Sequence, residues 1–375
     1  MISPPALLLP ALLFLAGIAS PAWSEPVVIT AVGDIMPTGE VIRTFTPQGF
    51  DRPYSGTAPE LQKGDICVGN LETPLTRGGR EFLGKKFRFR ARPETAGALK
   101  RAGFSVLTLA NNHTMDFGGE GLTDTLQALD NAKLLHTGAG ASLAQARQEA
   151  VVTVRGKRVA FLAYSLTYPE EFYAGVGRPG AAQGNITWVS EDIVRARRSA
   201  EYVVVSFHWG EELAPFPKPY QRRAAHAAID AGADLILGHH PHILQGIERY
   251  KGKSILYSLG NFVFGSNSSS ADRSIIARIT LDGAAQTVEV VPLNVLNSEI
   301  RFRPTILSGK RGDEVVDRLN RLSAPYNSRI TVAGGKYILE GSAVPEIVAF
   351  SRVGAETQRN PRQQGAFTCN SCHYR

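Results

Sequence analysis

Short runs of Val, Ile and Leu that each stop at a polar cluster constrain this chain more than any other feature. The runs at residues 27–32, 66–68, 104–109, 202–207, 234–237 and 255–259 read as buried strands. Segments 93–102, 119–132, 186–200 and 219–231 lie between them and carry helical patterning. Strands alternating with helices imply an α/β domain. Two further pairs, 151–154 with 159–163 around RGKR and 274–281 with 287–292 around DGAAQ, read as antiparallel hairpins. The sheets are therefore expected to be mixed.

The polar clusters all fall at the carboxyl ends of these strands. Asp34 ends the first in AVGDIMPTGE, Asn70 and Glu72 the second in CVGNLETPL, and Asn111, Asn112 and His113 the third in TLANNHTMDFG. His208 follows the next in VVVSFHWGEE, and His239, His240 and His242 follow LILG. Ligands of α/β sheets bind at that edge, so loops distant in sequence are expected to converge on one site. Imidazole, carboxylate and amide oxygen together suit divalent Mn, Fe or Zn. The same mixture permits one ion or two, bridged by a carboxylate, that activate water for attack on a phosphoryl or acyl centre.

The first 24 residues carry no Lys, Arg, Asp or Glu, hold an apolar run at 6–18, and end in Ala22-Trp23-Ser24. This is the pattern of a secretory signal without its usual basic start, and the run is short for a membrane span. The expectation is export to the periplasm or cell surface, with membrane association as the alternative. Three cysteines give no disulfide framework, so the core must hold the fold. The net charge of +7 is compatible with an anionic polymer or a membrane surface, or with nothing more than a basic, soluble exterior. No nucleic-acid motif is present.

In this order VGDIMPTGE, GNLETPLT, LANNHTMDFG, FHWGEE, GADLILGHHPHILQGIE and YSLGNFVF resemble the CapA, or PGA_cap, family of poly-γ-glutamate capsule synthesis, which is similar to the calcineurin-like metallophosphoesterases. The resemblance spans about residues 27–300. It implies a four-layer α/β/β/α sandwich with mixed sheets and a metal centre at one edge. On that resemblance Asp34, Glu72, Asn112, His208, His240 and His242 are expected metal ligands, with Glu72 bridging and His113 the acid or electrostatic stabiliser. Asn70 is an alternative to Glu72, and Asn111 and His239 are neighbours of the ligands. The departure is Met36, a soft thioether where the phosphoesterase motif carries a histidine.

Several residues carry two readings each. Asp116 either orients His113 or caps the helix that starts near Gly119. Glu211 and Glu212 either meet substrate or a second ion, or lie in a solvated loop. Asn261 in SLGNF either borders the site or completes a turn with Gly260. Arg88 and Arg90 alternate with aromatic residues on a strand-like stretch and face either an anionic substrate or solvent.

The expected organisation is a signal at 1–24, one domain at 25–300, and a C-terminal extension at 301–375 with an irregular tail. That tail ends in Cys369-x-x-Cys372-His373, the attachment pattern of haem c. Only two residues follow the histidine, which favours an exposed redox pair over covalent haem. Functionally, the leading expectation is a metal-dependent hydrolase of capsule or exopolymer synthesis, acting on an anionic polymer such as poly-γ-glutamate beside a membrane-bound synthase. The alternative is a non-catalytic, polymer-binding assembly protein.

Overall fold

Alternate residues of the strand Val27–Met36 face opposite ways, and each side meets a different layer. The computed structural model describes residues 25–45 and 49–341. Val27, Ile29 and Ala31 join a core with Val159, Phe161, Tyr202, Val204, Leu235 and Leu237. On the far side Val32, Cys67, Leu71 and Leu107 pack against Ala96, Leu99, Leu122 and Leu129 of the helices Thr95–Ala102 and Gly118–Asn131. Cys67 is thus a small buried apolar residue, and its thiol is pushed up by burial.

The first sheet is ten-stranded among the described residues. Its middle runs Ala285–Asn294, Arg273–Asp282, Val27–Met36, Ile66–Leu71, Val106–Thr108, Leu135–Thr137. The second is six-stranded, in the order Ile247–Tyr250, Lys253–Leu256, Leu235–His239, Tyr202–His208, Lys157–Ser165, Ala150–Val154. Its outer residues Ala160, Leu162, Val203, Val205 and Ile236 meet Val189, Ile193, Ala196, Ala225 and Ala228 of the helices Ile186–Arg197 and Pro219–Asp230. Helix, sheet, sheet, helix is the expected four-layer order. Each fully buried Val, Ile or Leu contributes about 1.5–3 kcal/mol, so the inter-sheet core and the two helix–sheet cores all hold the layers together. Both hairpins form, one in each sheet.

Two expectations change. Residue 300 is not an edge of the fold: Thr305–Ile306 pairs with Ala285–Asn294, and the hairpin of Ile330–Ala333 and Lys336–Leu339 extends the same sheet. The amphipathic helix Gly309–Ser323 sends Val315, Val316, Leu319 and Leu322 into the inter-sheet core, which makes residues 301–341 continuous with the domain. Residues 85–90 form no strand and lie in a loop whose base is the lone bridge between Leu75 and Ala91. The expected signal at 1–24 and the haem-type motif of Cys369, Cys372 and His373 lie outside the described residues. Among the described residues no helix is long and apolar enough to cross a bilayer.

Two glycines let the strands reach the edge. The strand Val27–Met36 leaves Arg273–Asp282 after Ala31 and takes Asn261–Phe264 as its partner from Asp34. A Cβ on Gly33 would sit 1.8 Å from the Gly260 carbonyl oxygen, and one on Gly238 would sit 2.0 Å from that of Tyr257. Only glycine allows these approaches, which come immediately before Asp34 and His239.

Candidate metal centre

Register sets the first contacts. Asp34 lies opposite Asn70 on one side and Asn261 on the other, while His208 lies opposite His239 in the second sheet. Beyond His239 the backbone leaves the sheet with φ of 94° at His240 and 60° at His242. Non-glycine residues there cost about 1–3 kcal/mol each, and such strain persists where surrounding structure enforces it. Its effect is to turn both imidazoles back toward the carboxylates.

Asp34 is the hub. Its Oδ1 accepts from Asn70 Nδ2 at 2.9 Å and lies 3.1 Å from His239 Nδ1. Its Oδ2 accepts from the His240 backbone N–H at 3.2 Å and lies 3.3 Å from His242 Nδ1. Burial alone would raise this carboxyl, but the adjacent imidazoles of His239 and His242 hold it well below the usual carboxylate range.

Glu72 is equally buried, at 0% exposure, and neither of its carboxylate oxygens has a hydrogen-bond partner. Its Oε1 lies 3.5 Å from His208 Nε2 and 3.8 Å from His242 Nε2. Burial, then the charge of Asp34, pushes Glu72 well above its ordinary value although His242 pulls the other way. His240 Nδ1 is also buried without a partner. Burial and the nearby His242 push His240 down to about 3, whereas Glu72 and Asp34 overcome burial and raise His242 to about 9. His208 is lowered well below its ordinary value by burial and by His240.

Three groupings bring ligand atoms within 4.8 Å of one another: Glu72 with His208 and His240, Asp34 with Glu72 and His242, and Glu212 with His240 and His242. Glu72 is common to the first two. Asn112 Oδ1 lies 2.9 Å from His208 Nε2, which brings the amide to the same cluster. A buried carboxylate with both oxygens unpartnered, facing imidazoles, fits a divalent ion, because buried charges are stable only when paired or coordinated.

The surrounding residues hold these groups. Asn70 spans Asp34 and His208 Nδ1, and its Oδ1 accepts from Asn111 Nδ2 at 3.1 Å. Asn111 also accepts from the His113 backbone N–H, and Asn261 Oδ1 lies 3.0 Å from His242 Nδ1. Asp116 is no helix cap: the helix Gly118–Asn131 has Phe117 at its N-cap position and no side-chain cap. Its Oδ2 instead lies 2.6 Å from His113 Nδ1, and burial lowers His113 below its ordinary value despite this contact.

The acidic pair divides, since Glu211 binds Lys218 at 2.6 Å while Glu212 joins the histidines. Arg88 is held by Glu81 at 2.8 Å and Arg90 lies over the Phe117 ring, so neither is turned to the centre. Met36 is buried in the fold. The basic residue that does reach the cluster is Lys85, 2.8 Å from Asp116 Oδ1. Sequence reasoning passed over it because nothing in GKKFRFR separates Lys85 from its neighbours.

The family model for the bacterial capsule synthesis protein PGA_cap matches residues 28–266. The chain is 36% identical over 280 residues to the capsule biosynthesis protein CapA of Bacillus anthracis, covering 72% of this chain and 68% of that protein. It is 34% identical over 267 residues to the PGA biosynthesis protein CapA of Bacillus subtilis, covering 70% of each. Among solved structures, the calcineurin-like phosphoesterase YfkN of Bacillus subtilis aligns at 12% identity and a TM-score of 0.41, over 80% of this chain and 96% of that one.

Proposed function

The chain belongs to the PGA_cap family of bacterial capsule synthesis proteins, and from that premise we propose that it is an exported, metal-dependent hydrolase acting on an anionic capsule polymer. The observation that carries the reading is Glu72, a fully buried carboxylate without hydrogen bonds that belongs to two ligand groupings at once. Asp34, Glu72, Asn112, His208, His240 and His242 would hold one or two divalent ions of the Mn, Fe or Zn type. A bound ion of this kind supplies Lewis acidity and acidifies water. His113 does not join the groupings of ligand atoms and is available to stabilise charge on the leaving group. Its Nδ1 is engaged by Asp116, which leaves Nε2 for substrate. The bond attacked is a phosphoester or an amide of the polymer, and the relatives' names favour a poly-γ-glutamate substrate. Export rests on the sequence of residues 1–24.

The test is metal content by plasma mass spectrometry, with the double variant His240→Ala, His242→Ala purified in parallel, followed by turnover of a chromogenic phosphodiester and of γ-glutamyl polymer. The reading expects one or two equivalents of metal in the natural chain, loss in the variant, and turnover abolished by His113→Ala with metal retained. Absence of metal from both proteins after loading with manganese, iron and zinc would sink it. Met36, standing where phosphoesterases carry a ligand, favours a second reading: a polymer-binding assembly protein with a reduced metal site. In that case His113→Ala leaves polymer binding and capsule assembly intact.

A further inference from the structure

We infer that Lys85 is a positioning residue for the reaction: together with Asp116 it fixes the Nδ1–H form of His113 and so dedicates Nε2 to the substrate. The inference rests on the hydrolase reading for its purpose, although its geometry stands without it. Residues 77–90 leave the sheet between Thr76 and Ala91 and are held against the site at Asp116. The Asp116 carbonyl accepts from the Phe82 N–H at 2.8 Å, Oδ2 accepts from the Phe89 N–H at 2.8 Å, and Oδ1 accepts from Lys85 Nζ at 2.8 Å. One buried carboxylate thus ties down the loop and contacts His113 Nδ1 at 2.6 Å.

The donors and acceptors leave a single assignment. Asp116, facing an ammonium and an amide N–H, is an acceptor, so the hydrogen between it and His113 belongs to Nδ1. Lys85 Nζ also donates to the Asn112 carbonyl and lies 3.1 Å from His113 Nδ1. With Nδ1 already carrying hydrogen, that last approach is no hydrogen bond, and Asp116 holds the two donors side by side. The Lys85 side chain is only 14% exposed and its Nζ lies 5.1 Å from the Phe172 ring centroid, so water does not readily replace it. Without the ammonium, the carboxylate of Asp116 keeps neutral partners alone inside the protein, an arrangement that buried charges avoid. A buried carboxyl so placed takes up a proton from solvent instead, and a protonated Asp116 donates to Nδ1, so the imidazole hydrogen moves to Nε2.

The experiment uses the full chain, zinc-loaded and labelled with 15N-histidine, and reads long-range proton–nitrogen correlations of the imidazoles, with His113 assigned from the spectrum of His113→Gln. The expected result is hydrogen on Nδ1 and a bare Nε2 in the natural chain. Lys85→Met should give a His113 pattern with hydrogen on Nε2 at unchanged zinc content, and Lys85→Arg should return it toward the natural one. Kinetically, Lys85→Met should lower kcat about 10- to 100-fold with KM within about twofold, the size expected when an orienting partner is removed. Hydrogen on Nε2 in the natural chain overturns the inference even if no variant folds, and so does a Lys85→Met spectrum identical to the natural one. Absence of turnover in the natural chain would count against the hydrolase reading and leave the spectroscopic result standing.

Discussion

The two sheets bring different chemistry to their common edge. Asp34, Asn70, Glu72, Asn112 and Asn261 come from the ten-stranded sheet and the turns at its strand ends, while His208, His239, His240 and His242 come from the six-stranded one. Carboxylates and amides therefore face imidazoles across the inter-sheet core, and His113 is the imidazole on the acidic side. Both groupings that contain Glu72 draw on both sheets, whereas Glu212, His240 and His242 all follow strands of the second. A centre built this way depends on the packing of one sheet against the other, so whatever shifts the layers disturbs it.

The hardest way to break the pairing is Asp34→Ala. It removes the group contacted by Asn70, His239, His242 and the His240 backbone, and a lost partner in a buried charged network costs about 3–5 kcal/mol. Urea unfolding of the metal-free protein should show that loss, with metal content falling to background. A cost below about 1 kcal/mol would mean that Asp34 is not the hub. Next come Gly33→Ala and Gly238→Ala, which force a Cβ onto a backbone carbonyl in one sheet each. Each should cost about 1–3 kcal/mol or more. Similar losses of metal affinity in the two variants would show that both sheets share the placement equally.

Glu72→Gln sharpens the contrast between the carboxylates. Because neither Glu72 oxygen is hydrogen-bonded, the metal-free protein should keep its melting temperature or gain slightly, yet lose metal. Glu212→Gln, at the exposed member of the grouping within one sheet, should lower metal content less than Glu72→Gln does. Equal losses would place the main ion on the imidazole side.

The smallest effect lies outside the centre, at Glu60, where burial works upward but Lys63 and Arg278 hold the carboxyl below its ordinary value of 4.5. A depressed folded value means stability that is present above pH 4.5 and lost as pH falls further. Glu60→Gln should flatten part of that acid limb with a small loss at neutral pH, since Arg278 keeps a second carboxylate in Glu289 at 2.9 Å. An unchanged limb would show that Arg278 is satisfied by Glu289 alone.

Much of this was legible in the chain. Short continuous apolar runs specified strands such as Val27–Met36 and Tyr202–His208, buried on both faces, and the polar residues at their ends marked the edge where a site belongs. The helix Gly309–Ser323 has apolar positions at helical spacing but no motif residue, and its place in the inter-sheet core is set by the tertiary fold. Asp116 remained open between cap and orienting group, since both roles need the same side chain at the same spacing.

The sequence by itself determined which residues are confined to strand ends and hence which chemistry is available, because local periodicity and backbone sterics act over a few residues. Only the tertiary structure decided that the carboxylates and imidazoles arise from opposite sheets, that Glu72 is left without hydrogen bonds, and that Lys85 rather than Arg88 or Arg90 enters the site. Those outcomes depend on two sheets packing face to face and on a loop held down by Asp116. The partners involved lie tens to hundreds of residues apart, and no local pattern along the chain encodes a distance between them.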